Sequence, residues 1–150
     1  MRMIRRTFVA TAVAATATLA AGTAFAQGKE VKIGYALAVN SHYGAAANAW
    51  AEGVEKGTNG AYKFKQFPAS ALGGERELIE GLQLGTVEAA IVSTGALSNF
   101  VPDVGVVDIP FLFRDTQHAR AVMDGAFGQE LLAKFQKRGL VALAWGEQGF

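Results

Sequence analysis

The chain has 150 residues, carries 14 lysines and arginines against 13 acids, and contains no cysteine, which excludes disulfides and thiolate metal sites. Three of the basic residues fall in the first 26 positions, where there is no acid, so the remainder counts 11 against 13, a net charge near −2. No basic footprint for nucleic acid is left.

Arg2, Arg5 and Arg6 precede an uncharged run from Thr7 to Ala21, and Ala24-Phe25-Ala26 supplies a small-x-small cleavage pattern. Residues 1–26 therefore read as a secretory signal peptide cut after Ala26. The run is too short and too rich in threonine to span a bilayer. About 124 residues then remain, enough for one α/β domain with its own core.

Val31 to Leu37 reads as a strand. Asn40 or Ser41 can cap the next helix, in which Ala47, Trp50, Ala51 and Val54 form one apolar stripe ending before Gly57-Thr58-Asn59-Gly60. Tyr62 to Lys65 alternates apolar and charged residues, as an edge strand does, and Pro68 closes it. After Gly73-Gly74 a helix starts at Glu75, with Leu78, Ile79 and Leu82 on one face. Val87 to Val92 is a continuous apolar run, expected of a central parallel strand covered on both sides.

Asp115 can cap a helix running to Asp124, with Ala119, Val122 and Met123 inward. A second helix is expected from Phe127 to Arg138, with Gly128, Leu131, Leu132 and Phe135 inward, and Leu140 to Trp145 resumes strand. The order β-α-β-α-β, then a linker, two helices and a strand, predicts an α/β domain with a doubly wound, mainly parallel sheet. Ligands of such sheets sit beyond the carboxyl ends of the strands.

Catalytic motifs are sparse. Neither G-x-G-x-x-G nor G-x-x-x-x-G-K-[ST] follows a strand, and Val92-Ser93-Thr94-Gly95 lacks the G-x-S-x-G frame of a nucleophile elbow. Of the two histidines, His118 reads as a solvated helix residue, whereas His42, in the loop after the first strand, fits either capping or ligand contact. Glu75 and Glu77 lie in a first helical turn, where they complement the dipole. Ser93 and Thr94 end the buried strand, where hydroxyls either satisfy loop backbone or point into a cleft.

Several segments in order carry a likeness: Gly73-Gly74-Glu75-Arg76-Glu77-Leu78, Gln83 to Glu88, Ser93-Thr94-Gly95, Asn99-Phe100-Val101-Pro102 and Asp108-Ile109-Pro110-Phe111-Leu112-Phe113. Together they closely resemble the periplasmic solute-binding subunit of tripartite ATP-independent periplasmic (TRAP) transporters, of the dicarboxylate-binding type, over nearly all of Val31 to Phe150. The resemblance implies a two-domain venus-flytrap protein that captures a small organic acid in the periplasm. It then hands the acid to membrane subunits driven by an ion gradient, with no cofactor. Residues 27–145 would form the first domain, and residues 146–150 would begin the crossing to a second domain that this chain lacks.

On the positions of this sequence, the resemblance implies ligand contacts from Asn40, Ser41 and His42, from Glu75, from Ser93 and Thr94, and from Phe111. It also implies a carboxylate-binding arginine at the residue after Gly149-Phe150. Val106 to Ile109 is expected as a strand stopped by Pro110, turning Phe111 towards the cleft as an aromatic wall and leaving Leu112 and Phe113 as core. The binding domain of a sensor or of an ATP-driven importer would share this capture physics. A secreted α/β hydrolase is the rival from another class. It would use Ser93 as nucleophile and needs His42 or His118 within about 2.6–3.2 Å of it.

Overall fold

A computed structural model describes residues 28–148. The expected signal peptide, Gly149 and Phe150 lie outside the described residues. Strand alternation sets the first layer of the fold. In β1 (Lys29–Tyr35), Val31, Ile33 and Tyr35 share one face, and Ile33 and Tyr35 are completely buried. The other face is thin at Gly34, where an added Cβ would lie 2.4 Å from Leu78 Cδ2. The absent side chain lets a helix approach the strand backbone closely.

α1 (His42–Gly57) begins on Ser41, whose Oγ accepts from the Gly44 amide. Its Tyr43, Ala47 and Trp50 pack with Ile33, Tyr35, Phe64 and Ala89 into the first core cluster. β2 (Tyr62–Phe67) pairs in parallel with β1 from Lys29↔Tyr62 to Gly34↔Phe67. On the opposite edge of β1, β3 (Ala89–Ile91) pairs in parallel from Ile33↔Ala89 to Tyr35↔Ile91, which gives the order β2-β1-β3.

α2 (Glu75–Leu84) connects β2 to β3 and sets Leu78 against Gly34, on the face opposite the one bearing Ile33 and Tyr35. Helices on both faces of a parallel sheet form the doubly wound arrangement that the element order predicts. The alternating pattern of β2, with Lys63 and Lys65 exposed, suits its single neighbour among the described residues.

A second cluster gathers Ile79 of α2 with Val101, Val104, Phe135 and Leu140, and Trp145 packs at its side. Short elements build it: α3 (Thr94–Leu97), a 3₁₀ stretch Pro102–Asp108, α4 (Thr116–Met123), α5 (Ala126–Lys134) and a 3₁₀ turn Phe135–Arg138. Asp115 caps α4 by accepting from the His118 amide at 2.7 Å. Where α4 passes into α5, a Cβ on Gly128 would meet the Met123 carbonyl oxygen at 1.7 Å, so only glycine fits.

Four expectations need correction. Val106 to Ile109 is not a strand: Pro102 opens a 3₁₀ stretch whose three-residue period brings Val101, Val104 and Val107 to the second cluster. Leu112 is 39% exposed rather than core. The third strand is only Ala89–Ile91 and lies at the margin of the described sheet, because Val87 instead packs beside Gly81 of α2. Leu140 to Trp145 alternates buried Leu140 and exposed Val141 as a strand would, yet forms no ladder among the described residues.

Candidate functional site

The three parallel strands all end at the same side of the sheet, and the turns that follow them bring distant residues together. After β3, Ser93 caps α3; after β2, the chain enters α2 at Glu75; after β1, it enters α1 at His42 and Tyr43. The Glu75 carboxylate joins all three connections. Its Oε1 accepts from the Tyr43 hydroxyl at 3.2 Å and from the Ser93 amide at 2.9 Å, and its Oε2 accepts from Ser93 Oγ at 2.5 Å. Hydrogen bonds to a carboxylate are stronger than neutral ones, so this node holds the strand tips in a fixed relation.

Tyr43 responds to that environment. Burial first, then the charge and hydrogen bond of Glu75, push its phenol up to about 12, while donation from the Gln148 side chain opposes the rise. A second acidic group lies one residue further along: Thr94 Oγ1 donates to Asp108 Oδ1 at 2.5 Å. Phe111 follows Asp108 by three residues, a reach of roughly 10 Å at most. Its side chain is fully exposed and its φ is +63°, a left-handed conformation that a bulky residue adopts at a cost of about 1–2 kcal/mol.

The expected residues thus divide. Glu75 and Ser93 are hydrogen-bonded to each other, with Thr94 and Asp108 adjoining them. Asn40 is exposed in a turn, and Ser41 is occupied by capping, its Oγ donating to Ala38 O at 2.6 Å. His42 is exposed and lies edge-on to Tyr43 at 4.8 Å. His118 is half-buried rather than solvated: its Nδ1 accepts from the Arg114 amide and its ring meets Phe113.

Sequence reading missed Tyr43, Asp108 and Gln148. Tyr43 left a signal, standing one turn before Ala47 on the apolar stripe of α1 with a hydroxyl that needs a partner.

Two concavities open among the described residues. One of about 330 Å³ opens between Pro102, Val106, Phe127 and Leu131, with the Lys134–Asp103 ion pair at its rim, and another borders Arg76 and Phe100. Glu75 and Ser93 are themselves half-buried. Among the described residues, no group of three or more His, Asp or Glu side chains could hold a metal ion.

Helices on both faces of a parallel sheet, with polar groups gathered at the strand tips, define a ligand-binding α/β domain. The chain belongs to the family described as bacterial extracellular solute-binding protein, family 7, which matches residues 33–150. A solute-binding protein of Verminephrobacter eiseniae is 52% identical over 120 residues, 80% of this chain and 36% of that protein. The crystal structure of a TRAP periplasmic solute-binding protein from Polaromonas sp. JS666, bound to D-erythronate, is 58% identical with a TM-score of 0.79 and covers 81% of this chain and 40% of its own. A sugar acid binding protein from Advenella mimigardefordensis, in complex with galactonate, is 39% identical with a TM-score of 0.78 and covers 83% of this chain and 40% of its own. The chain thus spans well under half the length of these relatives, and the periplasmic-binding-protein fold is that of one domain's worth of them.

Proposed function

We propose that this chain is the first-domain part of a periplasmic receptor that captures a small hydroxylated organic acid for a TRAP importer and releases it chemically unchanged. The observation that carries this reading is the Glu75 node, which ties the ends of three strands where a doubly wound sheet presents its ligand. Asn40, Ser41, His42, Glu75, Ser93, Thr94 and Phe111 remain the proposed contacts. Glu75 and Ser93 form the fixed centre of that set.

The chemistry of the node narrows the substrate class. Glu75 and Asp108 are both acceptors, so this half of the site suits the hydroxyls of a ligand and repels a second carboxylate placed against it. An aldonate, a monocarboxylate with hydroxyls along its chain, meets that condition better than a dicarboxylate does. The D-erythronate and galactonate of the two structural relatives are acids of that type. The carboxylate itself then needs a cationic or N–H partner other than Glu75 and Asp108.

The hydrolase reading needed a histidine at Ser93. Its hydroxyl instead donates to Glu75 and accepts from the Ala96 amide, as a helix cap does. Export through the signal peptide and delivery to ion-driven membrane subunits complete the proposal.

Thermal-shift measurements on the full-length protein test it. D-erythronate or galactonate raises the melting temperature, succinate raises it less, and the methyl ester of the responding acid does not. No shift with any of these acids, or an equal shift with the ester, sinks the reading.

A further inference from the structure

Tyr43 joins two parts of the chain that are far apart in sequence. Its ring is buried in the first core cluster, and its hydroxyl donates to Glu75 while accepting from the Gln148 side-chain amide. A phenol has one proton to give. Once Glu75 takes it, the oxygen can only accept, and Gln148 supplies the matching donor.

Gln148 does not reach this position by itself. Trp145 Nε1 donates to the Gly128 carbonyl at 3.2 Å, and Arg120 donates to Glu147 Oε2 through Nε at 2.8 Å and Nη2 at 2.6 Å. The segment from Trp145 to Gln148 is therefore fastened to α5, to α4 and, through Tyr43, to α1. The last of these attachments leads directly into the Glu75–Ser93 pair. A phenylalanine at position 43 would fill the same core volume, so the hydroxyl serves the connection and not the packing.

We propose that Tyr43 is a positioning residue of the binding site: it fixes Glu75 and Ser93 on one side and the Trp145–Gln148 segment on the other, so that site geometry and the placement of that segment are coupled. The ligand half of this inference rests on the proposed function. The coupling itself can be measured without ligand.

The experiment compares full-length wild type, Tyr43→Phe, Gln148→Ala and the double variant. Without ligand, amide hydrogen exchange at Ser93, whose N–H donates to Glu75, is expected to speed up several-fold in Gln148→Ala as well as in Tyr43→Phe. With D-erythronate as probe, each single change raises Kd by about three- to tenfold, the range expected for one lost hydrogen bond. The double variant is then no worse than Tyr43→Phe, because both changes interrupt the same chain of bonds. Unchanged Ser93 exchange in Gln148→Ala overturns the inference, as do additive effects on Kd. If wild type takes up no D-erythronate, the aldonate reading fails and the exchange result alone decides the coupling.

Discussion

Around Ile33 the core is assembled from a seven-residue strand, a sixteen-residue helix and a parallel ladder on each side of β1. Around Val104 it is assembled on Ile79 of α2 from 3₁₀ turns and helices of four to nine residues, joined by side-chain packing and a few side-chain hydrogen bonds rather than by a ladder. The first region carries its own backbone hydrogen bonds, and its apolar residues recur at regular spacing. The second depends on where its neighbours place it. It also leaves more apolar surface in water, with Ile109, Phe111, Leu112, Phe127, Val141 and Leu143 all exposed. The difference teaches that the ladder region supplies rigidity to the candidate site, while the short-element region supplies adaptable surface beside it.

The sharpest way to break that contrast is Ile33→Ala. Truncating this fully buried side chain at the centre of the ladder should cost about 2–5 kcal/mol in chemical denaturation. The corresponding test of the second region is Gly128→Ala, which forces a methyl onto the Met123 carbonyl and should cost about 1–3 kcal/mol or more. Hydrogen exchange separates the two regions: Gly128→Ala should open the segment from 98 to 148 while leaving β1 protected.

Tyr43 spans both regions and gives a pH test. Its phenol is raised from 10.0 to about 12 in the folded protein. The neutral form is favoured by folding, so this contribution is complete below pH 10 and is lost as pH rises through 12. Tyr43→Phe should flatten this alkaline limb of the stability curve.

Smaller still is Asp115→Ala, which removes the α4 cap and should cost about 1 kcal/mol. The smallest effect has the opposite sign. Phe111→Asn suits the left-handed backbone at that position and should leave stability unchanged or raise it by roughly 0.5 kcal/mol. If Phe111 contacts the ligand, the same variant weakens D-erythronate binding, which isothermal titration would show.

The contrast also explains what could be read in advance. The stripe of Ala47, Trp50, Ala51 and Val54, the face of Leu78 and Ile79, and the caps Ser41 and Asp115 are local signals, and local signals persist through folding. The strand expected over Val106 to Ile109 failed because Val106, Val107 and Ile109 look like a strand in isolation. The deciding period of three emerges only when Val101, Val104 and Val107 are placed on one cluster. In the candidate site, Ser93 was proposed from the carboxyl-end rule and the resemblance, and Glu75 from the resemblance alone. Their bond to each other and to Tyr43 was not legible, because it depends on how three loops converge.

Val141 and Leu143 are exposed in a stretch that forms no ladder among the described residues, beside a cluster that already holds Leu140 and Ala142. Such a stretch accepts whatever strand comes within reach. Recombinant production of residues 28–148 by themselves should consequently give oligomers or inclusion bodies. Placing lysine at Val141 and Leu143 is the direct way to keep that polypeptide monomeric.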